Sequence, residues 1–409
     1  MTQLKVAVAV VMTCLAVGLP AAQAPPSRVV AIGDIHGALD AFVDILQKAQ
    51  LLDADRKWAG GSATLVQTGD YTDRGTGVRA VMDLLMELEP QAAAANGRVI
   101  TLLGNHEVMN LIGEVRDVTP AIFATFADAQ SEARRERAYK EYVSLAEARA
   151  KVRPVVPEVY TVAREAWMSA HPPGWIEYRE ALGPKGRYGS WLRKRKASAT
   201  IDGTLFMHAG PDPAADVPIA QVDGIVAKEL ERVDRFYQQL VDERLALPFF
   251  TMNEMLQVAA AEIRAVNAIA AAAKEKGEAP DFSGFDLDVL REAAEVVTIG
   301  DWNLLSENGP LWYRGYAAAP EASLRDPVAA FLTRNKLQRI VVAHTPQQTR
   351  RITTRLGGTV ILIDTGMLTS AYQGRASALE IVGGQLSAIY SDGTMPLTAS
   401  PQLEFALQR

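Results

Sequence analysis

The chain has 409 residues, 48% of them apolar, which is enough to bury a large core in one domain with insertions or in two domains. Its formal charge of −6 excludes a general attraction to nucleic acid or to an anionic membrane, so any affinity for phosphate has to be local, from metal ions and a few arginines. Cys14 is the only cysteine, which excludes an internal disulfide and a thiolate metal site.

Residues 1–24 carry Lys5, an apolar run over 6–19 and the small-residue pattern Ala22-Gln23-Ala24, the composition of a secretory signal peptide. An uncleaved membrane anchor competes with that reading, because the run is near the lower length limit for a span. Pro25 and Pro26 leave the cleavage position open. The expectation is a periplasmic or secreted protein with no stable membrane association once the segment is removed.

Residues 28–32 are β-rich and run into Gly33-Asp34-Ile35-His36-Gly37, after which Leu39, Phe42, Ile45, Leu46, Ala49 and Leu52 recur at helical spacing. Residues 63–68 lead into Gly69-Asp70-Tyr71-Thr72-Asp73-Arg74-Gly75. Val78, Val81, Met82, Leu85 and Leu88 then mark a second amphipathic helix, which Pro90 is expected to stop. In the same way residues 99–103 lead into Gly104-Asn105-His106-Glu107, 205–207 into His208-Ala209-Gly210, 340–343 into His344, and 360–363 into Asp364. Six apolar strands thus each deliver a polar residue at the carboxyl end, where open α/β sheets bind ligands, and this predicts one shared site. Residues 378–382, Gly383-Gly384 and 385–390 predict a β-hairpin that extends a second sheet.

Two long stretches, at about 111–200 and 212–301, interrupt this series and read as helical insertions in a single catalytic domain over 25–409. The first holds a charged helical segment over 134–151 and a connection through Pro154, Pro157, Pro172 and Pro173. The second carries the stripe Val226, Leu230, Val233, Tyr237 and Leu240, then an Ala-rich run to Lys276. Periodicity leaves open whether they cap the crevice or only enlarge the core. His171 reads as a loop residue. Residues 187–196 read as a solvated helix face, with a polyanion strip as the competing view.

Asp34 and His36, two positions apart, fall on one side of an extended backbone and can grip one cation. Asp70 ends the next strand and can bridge two cations. Asn105, His208 and His344 would complete the second set. Nitrogen and oxygen donors without sulfur suit manganese, iron or zinc. Two such ions provide a hydroxide nucleophile near neutral pH and neutralise phosphoryl oxygens, so phosphoester hydrolysis by direct in-line attack needs no covalent enzyme intermediate. His106, beside a ligand but pointing elsewhere, is free to act as general acid, oriented by Asp73. Arg74 and Arg314 can clamp phosphate oxygens. Asp364 reads equally as a neighbour of the metals or as a turn residue.

In order and content these motifs resemble the calcineurin-like metallophosphatase superfamily and, within it, the phosphoprotein phosphatases. The run Gly104-Asn105-His106-Glu107-Val108-Met109-Asn110, with Asn308-Gly309-Pro310-Leu311-Trp312-Tyr313-Arg314-Gly315, is most similar to the Shewanella-like protein phosphatases. The resemblance implies an α/β fold, a four-layer α/β/β/α sandwich with two sheets face to face. It implies Asp34 and His36 on a first metal, Asp70 bridging, and Asn105, His208 and His344 on a second. It also implies His106 with Asp73 as the acid pair, and Arg74, Asn105 and Arg314 on the substrate.

Asp364-Thr365-Gly366-Met367 stands where the eukaryotic serine/threonine enzymes carry Ser-Ala-Pro-Asn-Tyr, and Ala343-His344-Thr345 lacks the second histidine of the Gly-His-x-His run of many phosphodiesterases. The expected activity is therefore a metal-dependent phosphomonoesterase acting on a phosphorylated protein, with a preference for phosphotyrosine, or on a small phosphate ester. A diadenosine polyphosphate hydrolase or nucleotidase, and a non-catalytic metal scaffold that binds phosphorylated ligands, are the competing readings.

Overall fold

Val29 and Ala31 of β1 (Arg28–Ile32) point to one face and Val30 and Ile32 to the other, and all four are buried. A strand covered on both faces needs a continuous apolar run, which is why no alternation marks it in the sequence. In the computed structural model, which describes residues 27–152, 160–215 and 217–397, the same holds for β2 (Thr64–Gln67), β5 (Thr204–Met207), β6 (Arg339–Val342) and β8 (Val360–Leu362), all of them buried or nearly so. The remaining strands are β3 (Arg98–Thr101), β4 (Ser198–Ile201), β7 (Thr353–Arg355), β9 (Ser377–Val382), β10 (Gln385–Tyr390) and β11 (Gly393–Pro396).

Two mixed sheets result, one in the order β11-β10-β9-β1-β2-β3 and the other β4-β5-β6-β8-β7. Val29, Ala31, Val66, Leu102, Phe206, Val341, Ile361 and Leu379 form a core between them. The alternate residues Val30, Ile32, Leu65, Ile340, Val342 and Leu362 face the outer helices. Two sheets packed face to face with helices outside make the four-layer α/β/β/α sandwich. β1, β2 and β3 are parallel, as are β5, β6 and β8, so their carboxyl ends gather at one edge.

Three expectations change. The helix Val78–Ala94 runs through Pro90: the proline is exposed, one hydrogen bond is forfeited, and the alanines beyond it carry the helix on. The hairpin forms, with Gly383 and Gly384 both at positive φ, but β9 pairs with β1 and so extends the first sheet rather than the second. Residues 187–196 are neither a free face nor a polyanion strip. Arg187 and Tyr188 bond Asp83, Arg195 and Trp191 bond Glu89, and Arg193 forks onto Asp234.

Within the insertions, the helices Ser131–Val152, Arg164–Ala170 and Trp175–Leu182 of the first and Ile219–Asp242 and Met252–Lys276 of the second add an aromatic core around Trp167, Trp175, Phe249 and Phe250. They pack against the helix Asn105–Ile112, whose eight residues are all buried, and so enlarge the core on that side, while Glu114 and Arg116 of the first insertion and Gly300 of the second line the crevice. Met252–Lys276 has the length and composition of a membrane span, yet its Glu262 is buried against Arg149. The leader expected at 1–24, with Cys14, and Pro154 and Pro157 lie outside the described residues.

Candidate metal centre

The strand tips are tied to one another through backbone and one carboxylate. The amides of Ile35 and His36 both donate to the Asp70 carbonyl at 2.9 Å, hanging the first loop from the second. His36 sits at φ 46°, so a left-handed turn, and not the extended backbone expected from the sequence, brings it beside Asp34. Asp70, Asp73, Arg74 and His344 also lie at positive φ, between 56° and 67°. Such residues cost of order 1 kcal/mol or more each and gather where function over-determines the backbone.

Glu107, to which the sequence reading gave no role, does most of the tying. Its Oε2 accepts from the amides of Asp70 at 2.7 Å and Gly104 at 2.8 Å, and its Oε1 from the amides of Tyr71 and Thr72 at 3.0 Å and the Thr72 hydroxyl at 2.8 Å. The signal was present: Glu107 stands three residues after Gly104 at a helix start, the spacing from which a carboxylate reaches back to the capping amide. Gly104 has no alternative, since a Cβ there would lie 2.2 Å from Asp70 Oδ1.

Around Asp70 the predicted ligands converge. Its Oδ2 is 3.2 Å from His208 Nε2, 3.7 Å from His36 Nε2 and 3.8 Å from His106 Nε2. His208 Nε2 in turn lies 2.9 Å from Asn105 Oδ1 and 2.9 Å from His344 Nδ1. His344 donates through Nε2 to the Trp312 carbonyl at 3.1 Å, which turns the Nδ1 lone pair inward. His36 donates through Nδ1 to the Thr72 carbonyl at 2.9 Å, which leaves the Nε2 lone pair inward. Donors at such separations match neighbouring ligands each roughly 2.1 Å from one shared cation, so Asp70, Asn105, His208 and His344 fit a metal. The other set is wider, with Asp34 Oδ2 3.8 Å from His36 Nε2.

Electrostatics agree with ligation. Burial pushes His36 down to about 3 and His344 down to about 2, so both stay neutral, the form that binds metal. Burial works to raise Asp70, but the His208 and His106 rings outweigh it and hold the carboxyl well below its usual range. Asp34 moves the other way, raised by burial and by the Asp364 and Asp70 carboxylates. Asp364 is both of the things read for it. Its Oδ1 accepts the turn amide of Gly366 at 2.9 Å, while burial beside the cluster pushes it up to about 6.

His106 stands apart from the lone-pair cluster in one respect. Its Nδ1 proton goes to Asp73 Oδ2 at 2.6 Å. Burial alone would lower its pKa, but the Asp70 and Asp73 carboxylates reverse this and hold it above the usual imidazole value. Those carboxylates favour a second proton at Nε2, which faces the centre.

The two arginines rest on different histidines. Arg74 places Nη1 on His36 Nε2 at 2.6 Å and on the Tyr372 hydroxyl, whose ring stacks on His36 with centroids 5.7 Å apart. The group predicted for phosphate thus sits on the nitrogen predicted for the first metal, and the two compete for one lone pair. Arg314 donates to the His344 carbonyl at 3.0 Å and the Thr345 hydroxyl at 3.2 Å. It lines a crevice of about 660 Å³ with Arg116, Asn308, Trp312 and Tyr313. His171 is the loop residue expected, just past the end of the helix Arg164–Ala170, and it is buried and stacked on Trp167.

Comparison with known proteins matches residues 27–239 to the calcineurin-like phosphoesterase family. An uncharacterized protein of Schizosaccharomyces pombe is 28% identical over 87% of this chain and 77% of its own length. Shewanella-like protein phosphatase 2 of Arabidopsis thaliana is 43% identical over 94 residues, so the chain spans about a quarter of that relative, 24% of it against 23% of this chain. Among solved structures, the cold-active protein-tyrosine phosphatase of a psychrophilic Shewanella covers 92% of this chain and 81% of its own, with a TM-score of 0.51 and 23% identity. That last likeness is one of fold.

Proposed function

Because the chain belongs to the calcineurin-like phosphoesterase family, we propose that it is a metal-dependent phosphomonoesterase whose metals are held by Asp34, His36, Asp70, Asn105, His208 and His344. The convergence of three imidazoles within 3.8 Å of Asp70 Oδ2 carries this reading. Bound in pairs, divalent ions supply a nucleophile from water near neutral pH and neutralise charge on the phosphoryl oxygens. Manganese, iron and zinc all suit this sulfur-free donor set.

The chain's own residues do the rest. His106, fixed by Asp73 through Nδ1, delivers the Nε2 proton to the leaving oxygen. Arg74, once turned off His36, and Arg314 in the crevice hold phosphate oxygens in forked geometry. Trp312 and Tyr313 give the crevice an aromatic wall beside Arg116, which supports an aryl monoester such as phosphotyrosine as the substrate. Similarity to proteins named as protein phosphatases supports the same class. The leader-like composition of residues 1–24 supports action outside the cytoplasm, which cell fractionation and sequencing of the mature amino terminus would test.

Turnover of an aryl monoester, an aryl diester and a diadenosine polyphosphate by metal-replete protein tests the activity. The monoester is expected to be the best substrate, with phosphotyrosine peptide ahead of phosphoserine peptide. Cleavage of the dinucleotide alone would overturn the assignment.

A further inference from the structure

Asp73 offers one oxygen to each of two donors. Oδ2 takes the Nδ1 proton of His106, and Oδ1 takes an amide proton of Asn110 at 2.9 Å. The second amide proton of Asn110 goes to the carbonyl of His106, also at 2.9 Å. With both protons committed to the His106–Asp73 pair, the Asn110 oxygen faces away from it, and there it accepts the Tyr178 hydroxyl at 2.5 Å. Asn110 and Tyr178 are both fully buried, so no solvent replaces either bond.

Tyr178 belongs to the helix Trp175–Leu182 of the first insertion, outside every motif that marks the sheet tips. Its ring is held edge-on by Phe123 at 5.2 Å and Phe126 at 4.9 Å, which leaves the hydroxyl one place to be. The next residue, Arg179, donates to the Phe250 carbonyl at 3.1 Å and pins the same helix to the second insertion. Burial keeps the phenol protonated, so it remains a donor.

We propose that Tyr178 is a positioning residue for the proton donor: through Asn110 it sets the Asp73 carboxylate, and through that the aim of His106 Nε2. The inference rests on the phosphomonoesterase reading, in which His106 protonates the leaving group. Without the hydroxyl, the Asn110 oxygen loses its one donor, and the amide that holds Asp73 is no longer anchored from behind. The damage should scale with how much the leaving group needs that proton.

Tyr178→Phe keeps the ring between Phe123 and Phe126 and removes only the hydroxyl. For this variant, metal content is expected to match the parent, and the melting temperature to fall by only a few degrees because the buried Asn110 oxygen has lost its donor. On an alkyl phosphate, kcat should fall about 10-fold with KM unchanged, and on 4-nitrophenyl phosphate, whose leaving group departs without help, by less than about 3-fold. Placed in a His106→Asn background, Tyr178→Phe should cost nothing further on either substrate. Equal losses on the two esters, an additive loss in the double variant, or a fall in metal content would overturn the positioning role. Failure of the metal-replete parent protein to turn over either ester would instead sink the phosphomonoesterase reading on which it rests.

Discussion

At the sheet tips, His36, His106, His208 and His344 aim nitrogens at one another and at carboxylates, with His208 Nε2 and His344 Nδ1 2.9 Å apart. In the first insertion, His171 is sealed between Trp167 and Trp175, ring centroids 4.0 and 4.3 Å away, with Nδ1 on the Trp167 carbonyl at 2.7 Å. The two regions bury their imidazoles to a similar degree, so burial does not tell a ligand from a core residue. What does is the facing of lone pairs: His171 is satisfied by its own surroundings, whereas His36, His208 and His344 turn ring nitrogens onto Asp70 or one another, an arrangement a shared cation would satisfy.

The strongest way to break that contrast is Asp70→Asn, which removes the charge at the point where the sets meet. Both metals should be lost, and kcat/KM should fall by about 10⁴-fold or more, as expected for several kcal/mol of lost charge stabilisation. Two ions per chain by elemental analysis of this variant would contradict the shared role. Next in size is His106→Asn, in which metal content should stay at the parent value while kcat falls about 10²–10⁴-fold. An unaltered rate would remove His106 from the chemistry; a loss of metal would move it into the ligand set.

The smallest effect sharpens the other side of the comparison. Burial holds His171 down at about 4, against about 6.5 for the free imidazole. Between those values the unfolded chain takes up a proton that the folded chain refuses. The stability this residue contributes is therefore complete above pH 6.5 and is lost as pH falls toward 4, by up to roughly 3 kcal/mol. Urea unfolding at pH 7 and pH 4.5 should show a smaller acid loss for His171→Phe than for the parent, with identical metal content. Equal acid losses would show that His171 titrates normally.

How legible the molecule was in its sequence depended on which face a strand or side chain addresses. Parallel strands such as β1 and β6 are covered on both sides and announce themselves as unbroken apolar runs, each ending on a chemically distinctive residue. β4, β7 and β11 are sheet edges, short and partly solvated, and carry no such run. The sheet to which the hairpin belongs was not legible, because β9 pairs with a strand some 350 residues earlier, and apolar pattern specifies faces, not distant neighbours.

The candidate ligands were legible because few residue types can do their work and four of five histidines stand at strand tips. Glu107 was half legible: its spacing from Gly104 marks a capping carboxylate, but its bonds to Asp70, Tyr71 and Thr72 come from tertiary contact. Asn110 and Tyr178 were not legible, because tertiary contact supplies their partners and the same residue types fill helices everywhere. The charge run at 187–196 misled for the same reason, since Asp83, Glu89, Asp223 and Asp234 that neutralise it come from other helices.

The Glu107 carboxylate clasps the tips of β2 and β3 with five hydrogen bonds that involve none of the ligand donor atoms. The β2 and β3 side of the cage is therefore held by the protein's own bonds. Stripping the protein with a chelator should leave its contour intact, and reloading should require little rearrangement of the main chain.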